Sequence, residues 1–244
     1  MPMIYKAREA QVAYGQAIRI LMLDSFVPFV PGDVGNASTF SFPVRYEKVH
    51  GLTFKNLYDE QKDCLAQIIQ AGIRLEEAGV KAVTADCGFM ILYQRQLAEA
   101  LTVPVFTSSL LQLPFIDKLF GTNDKIGVIT ASADKLTDSI LKKAGADPDR
   151  IVAIGMEEKP NFSRAALEEI GWLDSDAIEK EAVQTAVELV EKNPAISVLL
   201  LECSILAPYA KAIQYRVNLP IFDYVSMIEF INRSVVKTAY KGFI

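Results

Sequence analysis

Two cysteines in this sequence stand at equivalent places of a repeated pattern. Residues 83–89 and residues 199–205, which lie 116 positions apart, are each an apolar run followed by an acid and a cysteine. The cysteines are Cys87 and Cys203. Two thiols facing one ligand from opposite sides can act as a general base and a general acid, one removing a proton and the other returning one. The pattern therefore predicts inversion of a stereogenic carbon without a cofactor.

The repeat extends beyond the two cysteines. Tyr93 and Tyr209 each lie six residues after their cysteine. The tripeptides Pro-Val-Phe and Pro-Ile-Phe begin seventeen residues after it, at Pro104 and Pro220. These matches predict two related half-units, each of which presents one cysteine at the end of a strand.

Each of these cysteines lies between a predicted strand and a predicted helix. The strands span residues 81–85 and 197–201, and the helices span residues 89–100 and 206–216. Free N–H groups and the positive end of the dipole at a helix N-terminus favour a thiolate, so we expect a lowered thiol pKa. The third cysteine, Cys64, lies on the apolar stripe of a helix predicted over 57–77 and is expected to be structural.

Strands and helices alternate along the chain. The predicted strands are 18–23, 81–85, 104–107, 125–130, 151–154, 197–201 and 220–222. This alternation, with strands that lack an in-out pattern, predicts an α/β fold whose parallel sheets are flanked by helices. Residues 24–51 contain three prolines and several glycines and are predicted to be a long loop that packs against another part of the protein. Ligands of such sheets bind beyond the carboxyl ends of the strands, where both cysteines fall.

The composition excludes several classes of protein. The chain has 244 residues, of which 51% are hydrophobic and 23% are charged, so a substantial core is expected. The net charge is −5 without a basic stripe, which argues against nucleic-acid binding. One histidine and the cysteine spacing argue against a metal site. The absence of a signal-peptide pattern and of an 18-residue apolar run predicts a cytoplasmic protein without a membrane partner.

The residues around both cysteines resemble the aspartate/glutamate racemase superfamily, which includes hydantoin and allantoin racemases, maleate isomerases and arylmalonate decarboxylases. The resemblance rests on residues 84–89, 201–204 and 208–210, and also on the loop 31–36 with residues 42–46. It implies two pseudo-symmetric flavodoxin-like lobes with the active site in the cleft between them. It also implies a two-cysteine mechanism that needs no cofactor, and a homodimer.

The half-units predict the domain limits. Residues 1–107 together with residues 220–244 are expected to form lobe 1, which holds Cys87. Residues 108–219 are expected to form lobe 2, which holds Cys203.

The resemblance also suggests residues that bind the substrate. Asp24, in an Asp-Ser pair after the first strand, looks like the Asp-Ser of glutamate racemases, and the Ser204 hydroxyl could bind a substrate carboxylate. Gly88 and Phe89 stand where the amino-acid racemases have Asn-Thr, and Ile205 stands where they have a polar residue. The pocket is therefore expected to be more apolar than theirs, which argues against glutamate or aspartate as the substrate.

Four further polar residues are open to two interpretations. Asn36 could bind a ligand or could be an ordinary polar residue of a turn. Thr107 could bind an anion at a helix N-terminus or could only help to cap that helix. Asp86 and Glu202 immediately precede the cysteines. Since adjacent strand side chains point to opposite faces, we expect these two acids to be structural.

The leading hypothesis is a racemase or epimerase of a small carboxylic or amide-type acid, with Cys87 and Cys203 as the opposed acid and base. One alternative keeps the fold and makes the enzyme a cis-trans isomerase or a decarboxylase. A second alternative is a non-catalytic protein that binds or senses a small molecule. A Cys87–Cys203 redox pair is a weaker possibility.

Overall fold

The computed structural model describes residues 4–7, 9, 11–58 and 64–243. Within them the chain forms two four-stranded parallel sheets, with strand orders β2-β1-β3-β4 and β6-β5-β7-β8. The strands are β1 Ile18–Met22, β2 Val44–Lys48, β3 Ala82–Ala85, β4 Val105–Phe106, β5 Lys125–Thr130, β6 Ile151–Gly155, β7 Ile196–Leu201 and β8 Ile221–Phe222. The predicted α/β architecture of two sheets flanked by helices is confirmed.

Helices connect the strands of each sheet. The α-helices are α1 Leu65–Glu77, α2 Gln94–Ala100, α3 Leu113–Asp117, α4 Asp138–Lys143, α5 Pro160–Phe162, α6 Ser175–Lys192, α7 Ala210–Val217 and α8 Tyr224–Val235. Short 3-10 helices precede α2 and α7, over Gly88–Tyr93 and Ser204–Tyr209. A π-helix, Ser163–Leu167, follows α5 directly.

The two sheets repeat each other strand by strand. In the first, Leu21 of β1 pairs with Ala85 of β3. In the second, Ile129 of β5 pairs with Leu201 of β7. The edge strands β4 and β8 are 116 residues apart, which is the spacing of the two cysteines. The structure therefore places Cys87 and Cys203 at equivalent points, directly after the central strands β3 and β7.

Both central strands are buried because helices cover the sheets on both faces. Every residue of β1 and of β3 is buried, and so are five of the six residues of β7. The α1 helix contributes a stripe of buried side chains at helical spacing: Ile68, Ala71 and Leu75. Apolar burial at about 25 cal/mol per Å² is the main force that fixes these strands, so the positions of their ends are rigidly set.

Three predicted elements differ from the structure. The predicted loop 24–51 contains β2, a half-buried edge strand with charged residues that lacks the apolar signature of a central strand. The helix predicted over 57–77 begins at Leu65 in the structure, and residues 59–63 of that prediction lie outside the described residues. The closing helix, for which the sequence predicts residues 224–240, ends at Val235 in the structure.

The lobe limits stay a prediction, with one difference at residues 220–222. The sequence predicts these residues in lobe 1, whereas in the structure they include β8, which is hydrogen-bonded to β7 in the second sheet. The α8 helix that follows packs back on the first sheet, where Tyr224 and Ile228 join Ile18 and Ile20 in one core cluster. The chain therefore returns to the first sheet after Phe222.

Among the described residues, no helix has both the length and the apolar character that crossing a bilayer requires. The predicted cytoplasmic location stays a prediction.

Candidate active site

A cleft of about 50 Å³ lies between the carboxyl ends of β3 and β7. Both lobes contribute its walls, and we call it the two-thiol cleft. The residues that line it are Leu23, Ser25, Val27, Phe29, Phe54, Asp86, Cys87, Gly88, Phe89, Ala131, Ala166, Leu167, Glu169, Glu202, Cys203, Ser204 and Ile205. Its small volume favours a small ligand, since drug-sized ligands occupy pockets of about 300–1,000 Å³.

The backbone presents both thiols in the same way. Cys87 and Cys203 are the N-cap residues of the 3-10 helices that follow β3 and β7, and both have extended backbone angles. The backbone N–H groups two residues on, at Phe89 and Ile205, lie near the two thiols and favour their thiolate forms. Both cysteines are free thiols.

The acids that precede the cysteines also repeat. Both Asp86 carboxylate oxygens lie 3.1–3.2 Å from the Leu23 N–H. One Glu202 oxygen accepts a bond of 2.8 Å from the Thr130 hydroxyl and one of 3.3 Å from the Ala131 N–H. Contrary to the sequence expectation, both acids line the cleft as well as holding the strand ends together. The chain turns as soon as each strand ends, so strand alternation no longer separates acid from thiol.

Burial changes the acidity of both carboxyl groups. Loss of solvation raises the pKa of Asp86 to about 7, against the effect of the Leu23 N–H. Loss of solvation also raises the pKa of Glu202 to about 7, against the hydrogen bonds from Thr130 and Ala131. Both groups can therefore hold a proton near neutral pH.

The thiols are less acidic than the sequence predicts. Burial raises the pKa of Cys87 and of Cys203 well above the ordinary value, and the Glu202 carboxylate raises both further. The Phe89 and Ile205 N–H groups oppose this effect but do not overcome it. The expectation of a lowered pKa is wrong because it omitted desolvation and the adjacent carboxylates.

Gly88 is required by the contact between the lobes. A Cβ at this position would lie 2.6 Å from the Glu202 carbonyl oxygen and still closer to its Oε1. Glu202 is 1% exposed, and its Oε1 has no hydrogen-bond partner. The Ser109 hydroxyl of the second half donates a bond of 3.0 Å to the Glu202 carbonyl. Gly88 therefore lets the first lobe approach a carboxylate of the second.

The long segment after β1 closes one side of the cleft by packing on the second lobe. Its Gly32, with φ +98, lies so close to Pro208 that an added Cβ would be 2.9 Å from the Pro208 Cα. Val27 packs against the core of the second lobe. Phe54 and Phe89 meet edge to face, with ring centroids 6.0 Å apart. The segment thus packs against another part of the protein, as the sequence predicts.

Three candidate residues of the sequence analysis do not line the cleft. The Asp24 carboxylate accepts bonds from Lys48 Nζ at 3.0 Å and from the Gly51 N–H at 3.1 Å, which together lower its pKa. Asn36 caps a 3-10 helix by accepting from the Ser38 N–H at 3.0 Å.

The third of these residues, Thr107, is fully buried and turned away from the cleft. Its hydroxyl lies 3.0 Å from the Met90 carbonyl oxygen, to which it donates, and 2.8 Å from Gln94 Oε1. Its N–H donates to the same Gln94 oxygen at 2.8 Å. The side chain therefore joins β4 to the helix after Cys87, and it has no group left over for an anion.

Five candidate residues do meet in the cleft: Cys87, Gly88, Phe89, Cys203 and Ser204. Sequence reasoning missed other lining residues, among them Ser25, Phe54 and Glu169. Ser25 is the second residue of the Asp-Ser pair, and it lines the cleft whereas Asp24 does not. Nothing in the pattern around Glu169 marks it. Within the described residues, no group of three or more His, Cys, Asp or Glu could hold a metal ion.

The chain is similar in sequence to curated proteins of one kind. Dimethylsulfoniopropionate lyase 3 of Emiliania huxleyi (strain CCMP1516) is 32% identical over 226 residues, which cover 88% of this chain and 58% of that protein. Dimethylsulfoniopropionate lyase of Durusdinium sp. clade D is 29% identical over 228 residues, covering 90% and 75%. The chain thus spans little more than half the length of the Emiliania protein. No protein-family model matches the chain.

Solved structures share its architecture at low sequence identity. Glutamate racemase RacE1 of Bacillus anthracis superposes with a TM-score of 0.60 and 15% identity, covering 91% of this chain and 85% of that one. Unliganded arylmalonate decarboxylase superposes with a TM-score of 0.58 and 13% identity, covering 92% of this chain and 94% of that one. Allantoin racemase of Pseudomonas fluorescens superposes with a TM-score of 0.55 and 19% identity, covering 90% of this chain and 91% of that one. At such identities the likeness establishes the fold alone.

Proposed function

Because the chain has the fold of the aspartate/glutamate racemase superfamily, we propose that it is an enzyme that removes a proton from the carbon α to a carboxylate. The observation that supports this most strongly is the pair of thiols, Cys87 and Cys203, that line one small cleft from two lobes. One thiolate takes the proton, as general base catalysis requires. The chemistry uses side chains alone, so no cofactor is part of the proposal.

We propose dimethylsulfoniopropionate as the substrate and a lyase reaction as the outcome. The sequence relatives named as lyases of this compound support the choice. In the reaction a C–H bond α to the carboxylate breaks and the proton goes to the thiolate. The electron pair forms a C=C bond, and the β C–S bond breaks with its pair going to sulfur. The products are dimethyl sulfide, acrylate and the proton, which the thiol later returns to water.

The charges of the cleft fit this substrate better than they fit an acid that carries no positive charge. Glu202 and Asp86 raise the pKa of both thiols and so disfavour the thiolate. A sulfonium cation brought between these groups acts in the opposite direction, since an opposite charge nearby favours a charged form. The substrate would thus supply the positive charge that ionises its own base.

A racemase or epimerase of a small acid is the second candidate. It is supported by the equivalent placement of the two thiols, because a proton removed on one face can be returned on the other. It begins with the same proton abstraction and differs in the fate of the carbanion. A same-fold isomerase or decarboxylase shares that intermediate type. The predicted homodimer and cytoplasmic location also stay predictions.

Incubation with dimethylsulfoniopropionate in deuterated water tests both candidates. We expect dimethyl sulfide in the headspace and acrylate in equal amount by NMR. Exchange of the α-hydrogen without dimethyl sulfide release would contradict the lyase reaction and would favour an enzyme that returns a proton to the carbanion. A panel of chiral small acids under the same conditions then tests the racemase. Neither product nor exchange with any acid that binds would contradict the proposed abstraction itself.

A further inference from the structure

Glu169 approaches the first lobe from a distorted segment of the second. The π-helix Ser163–Leu167 ends two residues before it, with the Glu168 N–H donating to the Ser163 carbonyl at 2.9 Å. Two residues after it, Gly171 lies against the ring of Phe26, where an added Cβ would be 2.6 Å from Cζ. Glu169 lines the cleft and lies close enough to Asp86 for its charge to act on that carboxyl group.

The backbone at Glu169 is in a conformation that L-residues avoid. Its φ is +56°, and the other described non-glycine residue with positive φ is Asn218. Asn218 caps the C-terminus of α7, where asparagine is common. Glu169 also stands at a helix end, since the π-helix stops at Leu167 and the Ile170 N–H donates to the Arg164 carbonyl at 3.2 Å, but glutamate is less common than asparagine or glycine at such a position. The turn that ends this helix places Glu169 in the wall of the cleft.

The walls of the cleft carry acidic groups that have no basic partner among the lining residues. Among the described residues that line it, three are acids, namely Asp86, Glu169 and Glu202, and none is Lys, Arg or His. Glu202 is almost fully buried, with an oxygen that has no partner. Such a buried oxygen calls for a donor or a positive charge from a ligand.

Aromatic rings stand beside these acids and suggest the kind of cation. Phe29, Phe54 and Phe89 line the same cleft, and ring faces attract alkylated cations. Within the described part of the chain, no three of the acid and thiol groups could together hold a metal ion. An organic onium cation, which is large and weakly hydrated, therefore fits these walls better than a metal ion does.

We propose that Glu169 is the residue by which the cleft selects an acid that carries an onium group, sulfonium or quaternary ammonium, over a neutral acid of the same shape. The inference deepens the proposed function and rests on it for the carboxylate end of the ligand. In the bound ligand Glu169 then lies beside the cation.

Binding of two inert probes tests the selection without any reaction. The probes are trimethylammonio-propionate and 4,4-dimethylpentanoate, which share shape and carboxylate and differ in the positive charge. Calorimetry should give the wild type about tenfold or greater preference for the cation, the effect of one well-placed opposite charge. Glu169→Gln should remove most of that preference and leave the neutral probe within about twofold.

Glu168→Gln is the matched control. Glu168 is the adjacent residue, its side chain is exposed, and the substitution changes the net charge equally. It should keep the wild-type preference. Glu169→Gly is a second variant that removes the carboxylate and also relieves the left-handed backbone, so it should fold at least as well as the wild type and lose the preference.

Several results would overturn the inference. Equal affinities of the wild type for the two probes, or no binding of either, would exclude onium selection by this cleft. Full preference retained in Glu169→Gln and Glu169→Gly would exclude Glu169. These outcomes are separate from the lyase assay: cation preference without dimethyl sulfide release would contradict the proposed reaction and leave the selection standing.

Discussion

The surroundings of the two cysteines share a backbone and differ in their carboxyl groups. Both carboxylate oxygens of Asp86 accept from the Leu23 N–H, so each of them has a hydrogen-bond partner. Glu202 accepts with one oxygen and leaves Oε1 buried and unpaired. The pseudo-symmetry thus preserves the placement of the thiols, while charge and hydrogen bonding differ between the lobes.

One methylene accounts for much of this difference. The longer side chain of Glu202 reaches the first lobe, where Gly88 leaves room for it. The equivalent position after Cys203 is Ser204, which has a side chain. Glu202 and Gly88 therefore act as a complementary pair across the cleft, and Asp86 and Ser204 form no such pair. Glu202 is also the charge with the larger effect on both thiols.

The largest effect should come from the thiols themselves. Cys87→Ser and Cys203→Ser each replace a thiol by a hydroxyl that is a far weaker acid, so the variant without the base should lose about 10²–10⁴-fold in kcat/KM for dimethyl sulfide release. A lyase with one base predicts unequal losses in this assay, whereas a two-base racemase predicts that each substitution abolishes the racemisation of a chiral acid. Wild-type activity in both variants would exclude a role for either thiol.

The next effect is on stability. Gly88→Ala forces a methyl group against Glu202 and should lower the free energy of unfolding by about 1–3 kcal/mol, the usual cost of overpacking. Ser204→Ala at the repeat-equivalent position adds no atom and is the control, with an expected change below about 1 kcal/mol. Urea denaturation measures both. Equal stability of Gly88→Ala and the wild type would contradict the close approach of the lobes.

The sequence predicted the features that repeat and missed those that do not. Apolar runs and the spacing of 116 residues predicted the strands and both cysteines, because burial and helix starts leave local signals. β2 was missed because an edge strand with charged residues has no apolar run. The position of Glu169 depends on a π-helix and a left-handed residue, neither of which has a sequence signature.

Charge at the site was also beyond the reach of local patterns. The lowered thiol pKa was inferred from one element, the helix start, whose N–H groups do act as expected. The opposing carboxylate, Glu202, acts on Cys87 from the other lobe, 115 residues further along the chain. Long-range packing of this kind decides the sign of the pKa shift and cannot be read from neighbours in sequence.

The pH profile sharpens the comparison of the two acids. The Glu202 carboxylate raises the pKa of both thiols, and Asp86 raises them by less. If a thiolate is the base, kcat/KM rises with pH through the thiol pKa. Glu202→Gln should shift that rise to lower pH, and Asp86→Asn should shift it in the same direction by a smaller amount. A larger shift for Asp86→Asn would reverse the proposed asymmetry.

The smallest effect is the dependence of stability on pH. The folded pKa of Glu202 is about 7, above its ordinary value of 4.5. Below about pH 4 the folded and unfolded states both hold the proton. As the pH rises toward 7, Glu202 ionises first in the unfolded state, so the free energy of unfolding falls over that range. Above pH 7 it falls little further.

Glu202→Gln has no titrating group at this position, so its free energy of unfolding should lack this part of the decrease with pH. Between pH 5 and pH 6 the difference in the free energy of unfolding between the variant and the wild type should change in favour of the variant by on the order of 1 kcal/mol, since one pKa unit corresponds to about 1.4 kcal/mol. Urea denaturation at the two pH values measures the gain. Parallel curves for variant and wild type would mean that Glu202 is already ionised in the folded protein at pH 5. The unpaired Oε1 would then be a buried charge, and the cation preference of the cleft should be correspondingly stronger.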